Sequence, residues 1–165
     1  MVPLVLSFFR PWMMMFGMML VFAPVGAGAG MTPEEVDLFQ RVKVKAEQGD
    51  VSSQFWLGRY YYYGEGVAKD MTEGIKWWRK AAFLGNASAQ FHLGICYYTG
   101  RGVPKDNIEA HAYLSIYGAT DPGARKSIEI LESEMTSEDR LKAQQRAKEL
   151  QKEIAAQISA KKEGK

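Results

Sequence analysis

The sequence is poor in the residues from which most catalytic and metal sites are built. It has one cysteine, Cys96, and two histidines, His92 and His111, among 165 residues. A single cysteine excludes a disulfide within the chain, so packing alone must hold the fold together. The HExxH, CxxC, GxSxG and P-loop motifs are absent from the sequence. We therefore predict that the protein is not an enzyme and needs no metal or cofactor.

The chain also lacks a large excess of positive or negative charge. The formal net charge is +2 at pH 7, from 21 basic and 19 acidic residues. No segment carries the basic stripe that is typical of nucleic-acid-binding domains. We therefore expect no nucleic-acid partner.

Charged residues are almost missing from the N-terminal segment, where Arg10 is the only one before Glu34. The uncharged, mainly apolar run Trp12–Val25 is followed by small residues that include Ala27-Gly28-Ala29. This pattern predicts a signal peptide over residues 1–29, and hence a periplasmic or secreted protein. The alternative is an N-terminal anchor in the inner membrane facing the periplasm, but Arg10 interrupts the run of about 20 apolar residues that an anchor needs. Membrane contact is expected only through residues 1–29, if they stay attached.

What is present is a tandem repeat. When residues 49–84 are compared with residues 85–120, fourteen of 36 positions are identical. In the first copy these are Gly49, Ser52, Gln54, Phe55, Leu57, Gly58, Tyr61, Tyr62, Gly64, Gly66, Val67, Lys69, Asp70 and Glu73, each matched 36 residues later. A fixed period of this length is typical of stacked structural repeats.

Each repeat unit is predicted to be a pair of helices joined by a glycine-containing turn. Apolar residues recur at steps of three and four over residues 52–63, and a second helix is expected over residues 71–84. A glycine in the middle of the first helix, as at Gly58, indicates a helix crossing too close for a side chain. Asp70 and Glu73 have the spacing of a capping box at the start of the second helix. Structural roles are predicted for Gly58, Gly64, Gly66 and Asp70, and for their counterparts Gly94, Gly100, Gly102 and Asp106.

The repeated residues resemble a known family. Residues 89–106 read A-Q-F-x-L-G-x-x-Y-Y-x-G-x-G-V-x-K-D, and residues 76–85 read K-W-W-R-K-A-A-x-x-G. Both segments are similar to the Sel-one-like repeat, a relative of the tetratricopeptide repeat. The resemblance implies an all-α fold, a short right-handed α-solenoid with repeats over residues 51–84 and 85–120. In the second unit Tyr117 and Gly118 replace the Ala-Ala pair, which resembles a terminal, capping repeat.

Capping helices are predicted on both sides of the repeats, because each repeat buries its apolar face only against its neighbours. Residues 30–50 are expected to form a half-repeat with a helix over residues 33–48, and Thr32 and Glu35 fit its capping box. Residues 121–160 are expected to form C-terminal helices, the first starting with Asp121 as N-cap and Pro122 as first helical residue. Thr136 would cap the last helix, and residues 161–165 are expected to fray. The predicted apolar stripes are Ala124, Ile128, Leu131 and Met135, then Ala143, Ala147, Leu150, Ile154 and Ile158.

The candidate binding residues are those that differ between the two copies. In helical solenoids one helix of each pair lines a groove. If the first helix does so here, Trp56, Arg59, Tyr60 and Tyr63 face the groove in the first copy, and His92, Ile95, Cys96 and Thr99 in the second. Exposed Trp, Tyr and Arg side chains are the types that anchor interfaces. The alternative is that Trp56 and Tyr60 pack against a neighbouring helix pair.

The histidines and the cysteine are expected to have packing roles. The first copy has Trp56 where the second has His92, and Ile75 where the second has His111. Both are large apolar residues, so buried, satisfied histidines are predicted rather than metal ligands. Cys96 is expected to be a small, half-buried residue.

The resemblance implies a non-catalytic protein–protein interaction module. Such a protein would act as a scaffold, adaptor or regulator of an envelope or secreted complex and would hold a protein partner in the groove of the stack. One alternative is a membrane-anchored assembly factor that retains residues 1–29. A remote alternative is an enzyme that binds or hydrolyses β-lactams, as described for cysteine-rich relatives, but this chain lacks their disulfides.

Overall fold

The fold is an all-α repeat solenoid. The computed structural model describes residues 32–119, 121 and 123–164, and this part of the chain contains helices and turns but no strand. The helices are α1 (Pro33–Glu47), α2 (Val51–Tyr63), α3 (Met71–Phe83), α4 (Ala87–Thr99), α5 (Asn107–Gly118), α6 (Ala124–Ser133) and α7 (Ser137–Glu163). The predicted signal peptide, residues 1–29, lies outside the described residues, as does Pro122.

The central helices form two pairs, α2 with α3 and α4 with α5, that stack on each other. Helix α1 packs against α2, as the half-repeat prediction requires. The capping box at the start of α1 is formed, because Thr32 N donates to Glu35 Oε2 at 2.8 Å and Glu35 N donates to Thr32 Oγ1 at 3.3 Å. Local sequence signals therefore place the helices, and stacking then buries their apolar faces.

The mid-helix glycines mark the crossing points within each pair. A Cβ atom at Gly58 would lie 2.5 Å from Trp78 Cδ1 and 2.9 Å from the carbonyl oxygen of Gly74. A Cβ atom at Gly94 would lie 2.7 Å from Leu114 Cγ. The predicted close crossings are thus confirmed in both repeats.

The turn glycines close the first helix of each pair as predicted. Gly64 and Gly100 have φ angles of 78° and 69°, and Gly66 and Gly102 have 75° and 77°. These left-handed conformations carry a steric cost for any residue with a Cβ atom.

The capping boxes predicted for α3 and α5 are only half formed. Asp70 and Asp106 cap their helices, since each carboxylate accepts the backbone N–H of the residue three positions on. The glutamates, however, do not reach back, because the N–H groups of Asp70 and Asp106 donate to the carbonyl oxygens of Tyr61 and Tyr97. Because those two N–H groups are already hydrogen-bonded, Glu73 pairs with Lys76 instead, and Glu109 with Arg146.

Helix α6 begins later than predicted. Its first residue is Ala124 and its N-cap is Gly123, which makes no side-chain cap. Asp121 Oδ1 instead accepts the N–H of Gly123 at 2.7 Å, and Tyr117 donates its hydroxyl to Asp121 Oδ2 at 2.5 Å. Asp121 therefore closes the turn after α5 rather than capping α6. The apolar stripe of α6 is confirmed, with Ala124, Leu131 and the following Met135 buried.

Helix α7 is longer than predicted and covers both repeats. Its 27 residues correspond to about 40 Å of helix. Leu150 and Ile154 are buried in the same core as Ala82 of α3 and Tyr113 of α5. The predicted fraying of residues 161–165 is wrong for Lys161, which is helical and donates its Nζ to the carbonyl oxygen of Gly49 at 2.6 Å. The apolar side of α7 thus runs from the second repeat to the turn before the first.

Candidate functional site

The exposed aromatic residues of α2 form the centre of the candidate site. Trp56 is 43% exposed and Tyr63 is 49% exposed. They lie seven residues apart, so two helical turns bring them to the same side of α2. Tyr60 is only half-exposed, and its ring packs against Phe39 of α1 at 5.8 Å between centroids. The two residues therefore differ. Trp56 faces solvent, whereas Tyr60 packs on the neighbouring helix, as the alternative predicted.

Arg59 lies between the two exposed aromatic residues and is the only charged residue of α2. Its guanidinium lies over the Trp56 ring, 5.2 Å from the centroid. Its Nη2 donates to Glu65 Oε1 at 3.1 Å, in the turn that follows the helix. The indole and the carboxylate together fix the guanidinium at the surface.

His92 connects α4 to this group of residues. Its ring stacks on Trp78 with 4.7 Å between centroids, and it lies 5.6 Å from the ring of Phe55. Burial lowers the pKa of His92, and the positive charge of Arg59 lowers it further. Because the ordinary histidine value is already 6.5, His92 is neutral at pH 7.

A chain of ring contacts joins these side chains into one surface. Trp56 touches Phe55, Phe55 touches His92, His92 stacks on Trp78, and Trp78 touches Tyr63. Trp78 is fully buried beneath the others and donates its Nε1–H to the carbonyl oxygen of Phe55 at 3.1 Å. We call the group Phe55, Trp56, Arg59, Tyr63 and His92 the aromatic face.

The other residues predicted on α4 contribute less to the candidate site. Ile95 is half-buried against the cluster that contains Leu114. Thr99 is exposed, and its hydroxyl donates to the carbonyl oxygen of Ile95 at 2.8 Å. Cys96 is 2% exposed, and burial raises the pKa of its thiol. Cys96 is therefore a core residue and not part of a groove, and it is more buried than predicted.

Sequence reasoning missed Phe55, Trp78 and Glu65 as members of the site. Phe55 is identical in both repeats, so it is not among the candidate binding residues, which differ between the two copies. Trp78 lies on the second helix of its pair, and only the structure shows it beneath residues of two different helices. For Glu65 the sequence offered no signal, because turn carboxylates are common and their partners depend on side-chain geometry.

A second arrangement has the connectivity of a catalytic triad. Ser115 Oγ lies 3.2 Å from His111 Nδ1, and His111 Nε2 lies 2.8 Å from Glu132 Oε1. However, His111 is 3% exposed, and Ser115 lies inside α5, where the backbone N–H groups are used by the helix. The N–H groups of α5 around Ser115 are therefore engaged within the helix and cannot form an oxyanion hole. The chain of hydrogen bonds instead fastens α6 to α5, so the packing role predicted for His111 is confirmed.

A polar cavity of about 390 Å³ lies where α5 and α7 begin. Asp106 and Asp139 on its wall are part of the helix caps. Glu134 accepts the hydroxyl hydrogen of Tyr98 at 2.8 Å. The acidic side chains that line this cavity thus have structural roles. Among the described residues, no group of three or more His, Cys, Asp or Glu side chains could hold a metal ion.

The described helices include none that is long and apolar enough to cross a membrane. The apolar side of α7 is instead turned onto α3 and α5. The exposed members of the aromatic face, Trp56 and Tyr63, lie on α2, whereas α7 packs mainly on α5 and α3.

Comparison with protein families identifies the repeats. The family model of the Sel1 repeat matches residues 51–86 and 87–116. Among curated proteins, none matches this chain.

Two solved structures share this architecture. A protective antigen present in uropathogenic Escherichia coli strains, which displays an SLR fold, is 27% identical with a TM-score of 0.71 and covers 83% of this chain. A Sel1 repeat protein from Oxalobacter formigenes is 33% identical with a TM-score of 0.55 and covers 58% of this chain. This chain spans 30% and 40% of those two proteins.

Proposed function

This chain is a Sel1-like repeat protein, and we propose that it is a non-catalytic module that binds a protein partner through the aromatic face. Sel1 repeats are generally protein-interaction modules. The observation that carries the proposal is the exposure of Trp56 and Tyr63 on either side of Arg59. Water-exposed Trp and Tyr side chains on a rigid helix bury a large area at low entropic cost when a partner covers them.

The core of the protein supports this surface. Trp78 stacks on His92 and donates a hydrogen bond to the backbone carbonyl oxygen of Phe55, so it holds both residues of the aromatic face in place in the unbound protein. Preorganisation of this kind raises affinity, because less side-chain entropy is lost on binding.

The test is capture of the partner by chemical crosslinking and pull-down from the native host. Wild-type protein is compared with Trp56→Ala and Tyr63→Ala, and with Leu141→Ala as a matched control, since Leu141 is 67% exposed on α7. We expect both aromatic variants to lose the crosslinked partner with little change in melting temperature, and the control to retain it. Capture by both aromatic variants at the wild-type level would refute the proposal.

We also propose that the protein acts in the periplasm or outside the cell, as a scaffold, adaptor or regulator of an envelope or secreted complex. The support is the apolar segment that ends in Ala27-Gly28-Ala29. Sequencing the N-terminus of the protein isolated from its host tests this. A first residue of Gly30 supports export and cleavage, whereas an intact N-terminal segment supports a membrane-anchored assembly factor.

A further inference from the structure

We infer that the partner binds the aromatic face through a short extended segment in which an acidic residue lies between two apolar residues. This inference rests on the proposed function and adds the chemistry of the partner to it. In this arrangement the acidic side chain binds Arg59, and the two apolar side chains pack on Trp56 and Tyr63.

The charges of the aromatic face favour an acidic ligand. Helices α2 and α4 contain no acidic residue, and Arg59 is the only Lys or Arg in either helix. His92 adds no charge at pH 7, because burial and Arg59 lower its pKa. Within these helices a partner carboxylate therefore meets the positive charge of Arg59 and no negative charge, and the acid that pairs with Arg59, Glu65, lies outside them in the turn after α2.

The neighbouring acid leaves Arg59 able to bind a second carboxylate. Glu65 takes a single hydrogen bond, from Nη2, and the two side chains are 39% and 43% exposed. A guanidinium has five N–H donors, so this bond leaves donors available to a ligand. Exposed ion pairs of this kind contribute little to stability, and a carboxylate that arrives can join or replace Glu65. The Trp56 ring under the guanidinium restrains it in the meantime.

The spacing of the aromatic residues limits the length of the ligand motif. Trp56 and Tyr63 are seven residues apart on α2, which corresponds to about 10 Å along the helix axis. An extended chain rises about 3.3 Å per residue and its alternate side chains share one face, so same-face residues lie about 7 Å apart at two positions and about 13 Å apart at four. The spacing of about 10 Å falls between these two values, and only the longer one leaves an acidic side chain on the same face between the two apolar ones. The expected motif is therefore an apolar residue, any residue, Asp or Glu, any residue, and a second apolar residue.

The experiment is selection of random 12-residue peptides displayed on phage against immobilised full-length protein. Wild type is compared with Arg59→Gln, with Arg59→Glu and with Arg125→Gln, a control for an exposed arginine on α6. Wild type and the control should enrich peptides with Asp or Glu between apolar residues. Arg59→Gln should lose the acidic preference but keep the apolar one, and Arg59→Glu should favour Lys or Arg at that position.

Affinities then measure the contact directly. Replacing Glu by Gln in the best selected peptide should weaken binding to wild type by about tenfold or more, as for the loss of a charge-assisted hydrogen bond. The same replacement should weaken binding to the Arg59→Gln variant by less than about twofold, because this variant no longer has the guanidinium that binds the carboxylate.

Two results would overturn the inference. One is enrichment of peptides without an acidic preference, and the other is no enrichment at all. If either occurs while Trp56→Ala still abolishes capture of the host partner, the acidic segment is wrong and the proposed function stands. If Trp56→Ala and Tyr63→Ala also leave capture unchanged, the proposed function fails as well.

Discussion

The imidazole ring of His92 stacks on the indole ring of Trp78 across the boundary between the two repeats, with 4.7 Å between centroids and 16° between planes. Trp78 belongs to the second helix of the first repeat, and His92 to the first helix of the second repeat. The indole Nε1–H of Trp78 donates to the carbonyl oxygen of Phe55, and the same ring occupies the space that a Cβ atom at Gly58 would need. One buried side chain therefore sets both the spacing of the repeats and the position of the aromatic face.

The first prediction concerns the pH dependence of stability. Burial, reinforced by Arg59, lowers the pKa of His92 in the folded state below its ordinary value of 6.5. The unfolded state then binds a proton more readily than the folded state. The contribution of neutral His92 to stability is therefore complete above about pH 6.5 and is lost as the pH falls from there through the folded-state pKa. Urea unfolding at about pH 7.5 and about pH 5.5 should show a larger loss for wild type than for His92→Phe, which keeps a ring but cannot titrate.

Equal losses in wild type and His92→Phe would show that His92 does not titrate in this window. Arg59→Gln is the matched control for the electrostatic contribution. It should make the loss of stability between about pH 7.5 and about pH 5.5 smaller than in wild type, because it removes the smaller of the two causes that lower the folded-state pKa and so brings that pKa closer to the unfolded value.

The second prediction concerns the mid-helix glycines. Gly58→Ala would place a Cβ atom 2.9 Å from the backbone oxygen of Gly74, which cannot move without displacing α3. We expect a loss of about 1–3 kcal/mol in the free energy of unfolding, as for other overpacked sites. Gly94→Ala meets the side chain of Leu114 instead, which can rotate, so its loss should be smaller.

Urea midpoints of the two glycine variants and of the exposed Ser88→Ala provide the measurement. At an open helical position, alanine would be more stable than glycine by about 1 kcal/mol. A stabilised Gly58→Ala would therefore show that α2 and α3 cross less closely than described here.

The third prediction concerns the contribution of α7. Ile154 is buried in the core shared with α3 and α5, so Ile154→Ala should cost about 2–5 kcal/mol. Leu141→Ala removes a similar apolar side chain from the exposed side of the same helix, and it should change stability by less than about 0.5 kcal/mol. Chemical denaturation of both variants tests the difference. Similar costs at the two positions would contradict the packing of α7 on the repeats.

The fourth prediction concerns the Ser115–His111–Glu132 chain. Glu132→Ala should destabilise the protein by about 1–3 kcal/mol, because the N–H of a buried histidine loses its acceptor. Glu132→Gln keeps an acceptor and should cost less. Purified wild type and Ser115→Ala should show the same background rate with an activated ester or a β-lactam. A rate that Ser115→Ala abolishes would make this site catalytic.

Much of the fold could be predicted from the sequence, because its signals are local and occur twice. Gly64 and Gly100 end helices by their backbone conformation, and Asp70 and Asp106 begin them by accepting free N–H groups. Neither effect depends on distant residues. The helix pairs and their close crossings follow from such signals and from the period of 36 residues.

The path of α7 and the composition of the aromatic face could not be predicted in the same way. The stripe on α7 shows that one side is apolar, but not which surface it covers. Tyr60 and Cys96 occupy equivalent repeat positions, yet Tyr60 meets Phe39 of α1 whereas Cys96 lies in the central core. The two sites have different neighbours, and a repeat pattern carries no information about what flanks each copy.

The hydrogen bond from Lys161 to Gly49 ties one end of the solenoid to the other. Helix α7 starts beside the last helix pair and reaches the turn that precedes the first, so its length is matched to an array of two units. A third unit inserted between them would add two helices, each packed about 8–10 Å from its neighbour. Lys161 would then no longer reach its acceptor. In this protein the number of repeats and the length of the last helix can therefore change only together.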